Sequence, residues 1–192
     1  KCRAPIGVAA ARNAGIAASR AKLFLPLDAD DLLEPVALQL LHEEYERTGD
    51  IIYPDFWEDP DEPGVFTHWA LPEWDPKHLI GHGSIHSVTA LTPKAVWEAV
   101  GGYDVDLAGW EDWGFQLACA ERCICTHRYP VPLFTYRKWT GNRREENFAN
   151  FEESKAGIVA KFGDYWTGGK EMGGCGSCGG GGAPPTAAEF RA

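Results

Sequence analysis

The chain of 192 residues predicts an α/β domain, a mixed sheet with mostly parallel strands flanked by helices. Two observations carry this expectation. Stretches with apolar residues at helical spacing alternate with short apolar runs of strand length, and Pro and Gly stand where helices should start and stop.

"GVAAARNAGIAASRA" (7–21) is Ala-rich with helical spacing and holds Arg12 and Asn13 near its middle, so it reads as a helix. "KLFLPLD" (22–28) is a short apolar run of strand length. "EPVALQLLHEEYERTGD" (34–50) follows as a helix, with Pro35 placed to start it, Leu38, Leu41 and Tyr45 on one face, and Gly49 as its stop. "DIIYPDFWED" (50–59) is the next strand and runs into an acidic, Pro-rich loop. From 60 to 80 the aromatics Phe66, Trp69 and Trp74 lie among prolines and acids, which predicts an irregular or hairpin segment over the sheet. "GSIHSVTALTP" (83–93) reads as a strand, and "PKAVWEAVGGYD" (93–104) as a short helix closed by Gly101 and Gly102. "WEDWGFQLACAERC" (110–123) opens on acids, as a helix N-terminus should. "HRYPVPLFTYR" (127–137) returns as a strand. These elements form one domain over residues 1–167. From 168 to 192 the Gly-rich composition has too few apolar side chains to offset the entropy of ordering, which predicts a flexible tail.

Composition narrows the function classes. With 44% hydrophobic and 24% charged residues the chain is that of an ordinary folded protein. A net charge of -10 and the lack of a basic stripe argue against nucleic acid as a partner. No run of about 18 apolar residues is present, so no membrane span is expected in this segment. The only methionine is Met172 and the sequence opens at Lys1, which reads as a fragment or processed product. Six cysteines are neither dense nor evenly framed, so buried free thiols and a reducing, cytoplasmic setting are expected. Cys175 and Cys178 form a single C-x2-C, two ligands where structural zinc wants four.

The chemistry concentrates in "LFLPLDADD" (23–31), an apolar run that stops on Asp28, Asp30 and Asp31. Mutually repelling carboxylates at a strand end call for a cation. Asp28 and Asp30, separated by small Ala29, can converge on one ligand, and hard oxygen donors suit Mg²⁺ or Mn²⁺ held together with substrate phosphates. In open α/β sheets such strand ends are where ligands bind. The bland alternative is that Asp30 or Asp31 caps the helix near Pro35.

The succession "ARNAGIAASRAKLFLPLDADDLLEP", "DIIYPD", "AVGGYDVDLAGWEDWGFQLA" and "FTYR" resembles the family 2 glycosyltransferases of the GT-A fold, over roughly residues 7 to 140. The resemblance implies a nucleotide-diphospho-sugar transferase, Rossmann-like fold. It implies that Asp28 approaches the ribose of a nucleotide-sugar donor, that Asp30 ligates the divalent cation on the diphosphate, and that Arg12 and Asn13 lie near the nucleotide. It also implies that Asp112 is the catalytic base on the acceptor side, with Glu111 orienting it or binding acceptor. Without the resemblance, Glu111 and Asp112 read more readily as acids favoured by the helix dipole. Trp110 and Trp113 bracket this pair, and flat indoles can pack on a sugar while their N–H groups reach hydroxyls. With His82 they are the candidate acceptor contacts; Trp139 and His86 are weaker ones, more simply read as packing or polar core residues.

Two departures stand out. Many relatives carry a histidine shortly after the "TYR" position, where this sequence has Arg137, Lys138, Trp139, Arg143 and Arg144. The family's first strand, helix and second strand should precede Lys1, so a preceding segment or a further subunit is expected to complete the sheet. The resulting expectation is an inverting, metal-dependent transfer of a sugar from a nucleotide-sugar to a carbohydrate or other hydroxyl acceptor. Its rival is a non-catalytic carbohydrate-binding or structural module on the same scaffold. A metal-dependent phosphohydrolase is disfavoured, since no further carboxylate or histidine cluster completes a two-metal site.

Overall fold

Strands β3 (Ile51–Asp59) and β6 (Thr126–Arg137) form the axis of the molecule, a parallel pair running from Ile51 opposite Thr126 to Asp59 opposite Arg137. The coordinates are a computed structural model that describes residues 6–59, 65–107, 109–138 and 151–167. The ladder is irregular on either side of Asp55. Pro54, Pro130 and Pro132 lie at that place and have no N–H to donate, so the two chains slip past one another there.

The remaining strands pair in the opposite sense. β2 (Leu32–Leu33) is antiparallel to β6, and β4 (Thr67–Trp69) is antiparallel to β3, giving the order β2-β6-β3-β4. β1 (Leu23–Phe24) pairs antiparallel with β5 (Thr92–Pro93), and the bridge between Leu91 and Ile52 joins this small ladder to β3. The mixed sheet is as expected; the predominance of parallel pairs is not, because the only parallel pair among the described residues is β3 with β6.

The two runs expected as full strands, 22–28 and 83–93, each contribute only two ladder residues. Pro26 interrupts the first. In the second the backbone is served by a buried side chain: Gln116 accepts from Ile85 N at 2.8 Å and donates to Ser84 Oγ and the His86 carbonyl, both at 2.8 Å. One glutamine thus replaces part of a strand ladder, as a buried backbone requires some partner.

Helices cover both faces. α2 (Ala37–Thr48) ends on Gly49 at φ 76 and lays Ala37 and Leu41 against Ile52, Leu91 and Leu133. On the other face α1 (Val8–Ala18), α3 (Pro76–Gly81), α4 (Lys94–Val100), α5 (Glu111–Glu121) and α6 (Phe151–Trp166) enclose the larger core around Tyr53, Leu79, Trp113, Leu117 and Ile158. Ile51 and Tyr53 belong to this core and Ile52 to the other, the two-residue alternation of a strand buried on both sides.

Helices α3 and α6 were not read from the sequence. Asp75 caps α3, its Oδ1 accepting from Lys77 N at 2.9 Å with Pro76 at the first helical position. In α6 Ile158 and Phe162 are buried one turn apart. Cys119 and Cys123 are free thiols, but Cys125 is disulfide-bonded, contrary to the expected set of free cysteines. The tail from 168, with Cys175 and Cys178, lies outside the described residues.

Asn13 fastens α1 to the turn after α4. Its Oδ1 accepts from Trp97 Nε1 and Tyr103 N, both at 2.9 Å, and its Nδ2 donates to the Tyr103 carbonyl at 2.7 Å. Gly102 sits against this clamp at φ 80, and a Cβ there would stand 2.8 Å from Asn13 Oδ1 and 2.9 Å from Trp97 Nε1. Gly102→Ala is therefore expected to lose stability by about 1–3 kcal/mol or more through left-handed strain together with the clash. Gly101→Ala, at φ 85 in open space, should lose only the strain component. Urea denaturation of the two variants checks the difference; equal losses would remove the clamp as its cause.

Candidate active site

The acids that follow β1 occupy a tight turn closed by Asp31 N donating to the Asp28 carbonyl at 3.1 Å. They divide into different roles. Asp31 is buried, and its Oδ1 accepts from Arg137 N at 3.1 Å, which ties the turn to the end of β6. Burial, with the neighbouring Asp28 and Asp30 carboxylates, pushes its carboxyl up to about 6. Asp31 thus anchors the turn and does not cap α2, whose start at Val36 has no side-chain cap. Asp30 is exposed and Asp28 half-exposed, so two of the three carboxylates face outward.

Arg12 projects from the middle of α1 into the space between this turn and α5. Its Nη2 donates to Asp28 Oδ1 at 2.6 Å and its Nη1 donates to Glu111 Oε1. The guanidinium carbon stands 5.8 Å from the centre of the Tyr103 ring, so an aromatic face supports the cation. Burial opposes its charge, yet the two carboxylates outweigh it and raise the affinity of Arg12 for its proton. The neighbouring Asn13 is committed to Trp97 and Tyr103 and holds the Tyr103 backbone against α1.

Glu111 and Asp112 form the first turn of α5. The helix is entered through Gly109 at φ 93 and Trp110 at φ 58, and the second of these is a left-handed conformation that a bulky side chain seldom takes. Asp112 Oδ1 accepts from Trp113 N at 2.8 Å. Desolvation first, and then repulsion from Glu111, push its carboxyl up to about 6, against the opposing pull of the Trp113 amide and Arg12. A carboxylate of that proton affinity next to an ion pair suits a general base at neutral pH.

Not every sequence candidate faces this place. Trp113 is 3% exposed and its Nε1 donates to the Leu79 carbonyl at 2.9 Å, so it is a core residue linking α5 to α3 and not an acceptor contact. Trp110 lies edge-on to it at 6.2 Å between ring centres and is half-buried at the helix entrance. His82 ends α3, donating its N–H to the His78 carbonyl at 2.8 Å, and is exposed with its ring 4.8 Å from that of His78. His86 is buried, stacked on Tyr53 at 4.5 Å, and burial holds it neutral by lowering its pKa to about 4. Lys138 pairs with Glu58 at 2.6 Å, while Trp139, Arg143 and Arg144 lie outside the described residues.

One contributor was not singled out from sequence, Tyr103 beneath Arg12. Asp55, likewise not singled out, contacts none of these residues; it is fully buried and gripped by Arg128 through two bonds of 2.8 Å, by Leu71 N at 3.0 Å and by His68 at 3.1 Å. Burial alone would raise the Asp55 carboxyl, but these donors win and lower it. An acid inside an otherwise strand-like apolar run was the available signal for Asp55. Among the described residues no group of three or more His, Cys, Asp and Glu is arranged to hold a metal by protein ligands alone. The exposed Asp30 carboxylate is the donor chemistry that a divalent cation also bound by substrate phosphates would need.

Arg12 and Glu111 have side chains 13% and 12% exposed, so the pair is largely buried. Arg12→Met should leave Glu111 without a cation and cost roughly 3–5 kcal/mol. Arg12→Met combined with Glu111→Leu should recover most of that loss, because both desolvated charges are then gone. Denaturant unfolding of the single and double variants is the measurement; a double variant as unstable as the single would show that the cost does not arise from the orphaned carboxylate.

Comparison with known proteins bears on the fold and on the first half of the chain. Residues 3–87 match the family model described as Glycosyl transferase family 2, a segment that contains Arg12, Asn13, Asp28 and Asp30 but not Glu111 or Asp112. No curated protein matches the sequence. Among solved structures, S. aureus TarS 1-349 superposes with a TM-score of 0.52 at 14% identity, over 67% of this chain and 40% of that one. TarS 1-349 in complex with UDP-GlcNAc gives a TM-score of 0.57 at 16% identity over 73% and 41%. The complex with UDP gives 0.50 at 14% over 81% and 50%. At these identities the likeness establishes the GT-A fold, and the chain spans about two fifths to one half of the TarS chains. The chain thus has the mixed α/β sheet of a GT-A fold, and 85 of its 192 residues carry the match to the Glycosyl transferase family 2 model, the acidic turn after β1 among them.

Proposed function

We propose that this chain is the part of a glycosyltransferase that transfers a sugar from a nucleotide-sugar to an acceptor hydroxyl, with inversion and with the aid of Mn²⁺ or Mg²⁺. The observation that carries the reading is the Arg12 bridge from Asp28 to Glu111, which brings the acidic turn and the head of α5 to one place although 99 residues separate Arg12 from Glu111. The family match and the superposition on TarS bound to UDP-GlcNAc support a nucleotide-sugar as donor.

In this reading Asp28 accepts from the ribose through whichever oxygen Arg12 leaves free, and Asp30 would hold the divalent cation together with the diphosphate. When bound, that cation supplies charge neutralisation to the departing nucleoside diphosphate. Asp112 takes the proton from the acceptor hydroxyl as its oxygen attacks the anomeric carbon from the side opposite the diphosphate. A single displacement of this kind inverts the anomeric centre. Trp110 and His82 border the acceptor side, where an indole face can pack on a sugar ring.

Titration calorimetry of the natural protein with UDP, with and without Mn²⁺, tests the donor reading. Metal-dependent binding that is lost in Asp30→Ala is expected; its absence from the wild type would favour a non-catalytic module on the same scaffold. Asp112→Asn keeps the acceptor oxygen for Trp113 N but removes the base, so turnover should fall by roughly 10²-fold or more while UDP affinity is unchanged. The base acts only when ionised, so kcat/KM should decline as pH falls through about 6, the value to which burial and Glu111 raise Asp112. That acidic limb should be missing from the residual activity of Asp112→Asn. Normal turnover in this variant would sink the mechanism.

A further inference from the structure

One guanidinium serves two carboxylates that belong to opposite halves of the site. Arg12 gives Nη2 to Asp28 at 2.6 Å and Nη1 to Glu111, and it is the only cation that the described residues place on either acid. Its position leaves little freedom. α1 fixes the backbone, Tyr103 supports the ring-like plane of the guanidinium, and Asn13 fastens Tyr103 to α1 through three hydrogen bonds that also involve Trp97. Asp28 is 44% exposed and open to a ligand, whereas Glu111 is 12% exposed and depends on Arg12 for compensation of its charge.

We propose that Arg12 is a positioning residue that couples the nucleotide side of the site to the acceptor side by sharing its charge between Asp28 and Glu111. This rests on the proposed function and extends it. A nucleoside diphosphate bound beside Asp28 adds negative charge within reach of the same guanidinium and draws it away from Glu111. Conversely, a neutral residue at 111 leaves the whole cation to Asp28 and the diphosphate. Coupling between sites is reciprocal, so an effect of position 111 on nucleotide affinity is the same free energy as an effect of nucleotide on the acceptor-side acids. The fork of Arg12 makes this possible, since its two arms reach two partners at once, where an ammonium is a point charge.

The test is a double-variant cycle read by UDP affinity in the presence of Mn²⁺, using the natural protein. Glu111→Gln should tighten UDP binding by about fivefold or more, the low end of ordinary site-to-site coupling. The same change made in an Arg12→Gln background should have no effect on UDP affinity. If Arg12→Gln does not fold, Arg12→Lys serves as the background, and the effect of Glu111→Gln should shrink there because the two-armed contact is gone. Equal tightening in both backgrounds would mean that Glu111 repels the diphosphate directly, and would overturn the coupling role. No change in the wild-type background would overturn it as well, and would leave Arg12 to Glu111 as a purely structural pair whose loss lowers only the melting temperature. Failure of the wild type to bind UDP would overturn the proposed function and this inference together.

Discussion

The site depends on a single buried cation. Without Arg12, the head of α5 would carry a largely buried Glu111 next to Asp112, and the turn after β1 would carry Asp28, Asp30 and Asp31 with no compensating charge on Asp28. Burial and like charge both raise the proton affinity of a carboxylate. Arg12 contacts Asp28 and Glu111, while Asp31, which anchors the turn, and Asp112, which is offered as base, are raised to about 6 by burial first and by neighbouring carboxylates after it. The scaffold that holds the cation is itself specific, for Asn13 has its carbonyl oxygen and amide engaged by Trp97 and Tyr103.

Much of this was readable from residue type and spacing. The helices of residues 7–21, 34–50, 93–104 and 110–123 appear as α1, α2, α4 and α5, since their boundaries are written in local chemistry such as Gly49 and Gly101. The acids at the end of β1 were conspicuous because nothing apolar explains them. Long-range facts were less accessible. Spacing does not say that Pro130 and Pro132 would disturb the β3–β6 ladder, or that Gln116 would stand in for a strand partner at residues 84–86. Trp113 has the same local surroundings as Trp110 in sequence, and only the packing of α3 on α5 sends one into the core. Helix α6 was missed since Gly157 and Gly163 blur its period, although Ile158 and Phe162 mark its buried face.

The division of labour among the acids follows from burial more than from sequence position. Asp55 and Asp31 are both buried, yet one is pulled down and the other pushed up. Asp55 meets the two-armed guanidinium of Arg128 and a backbone N–H, so its charge is worth keeping. Asp31 meets one backbone N–H and two neighbouring carboxylates, so the effect of burial is left uncompensated and its carboxyl lies at about 6. Desolvation acts in the same direction on both, and the partners set the outcome.

The parallel pairing of β3 with β6 has a consequence for how the chain reaches this state. Ile51 and Thr126 lie 75 positions apart in sequence, and the Arg12 to Glu111 contact spans a still longer separation of 99. Loop-closure entropy must be met before either contact stabilises anything, whereas α1, α2 and the acidic turn are local. The late step in folding is therefore the assembly of the site itself. Until it is complete, Ile51, Ile52 and Tyr53 present an unpaired apolar strand, the kind of edge on which partly folded chains associate. Emergence of β6 from the ribosome, and not of the acidic motif, is the event that closes this window during synthesis.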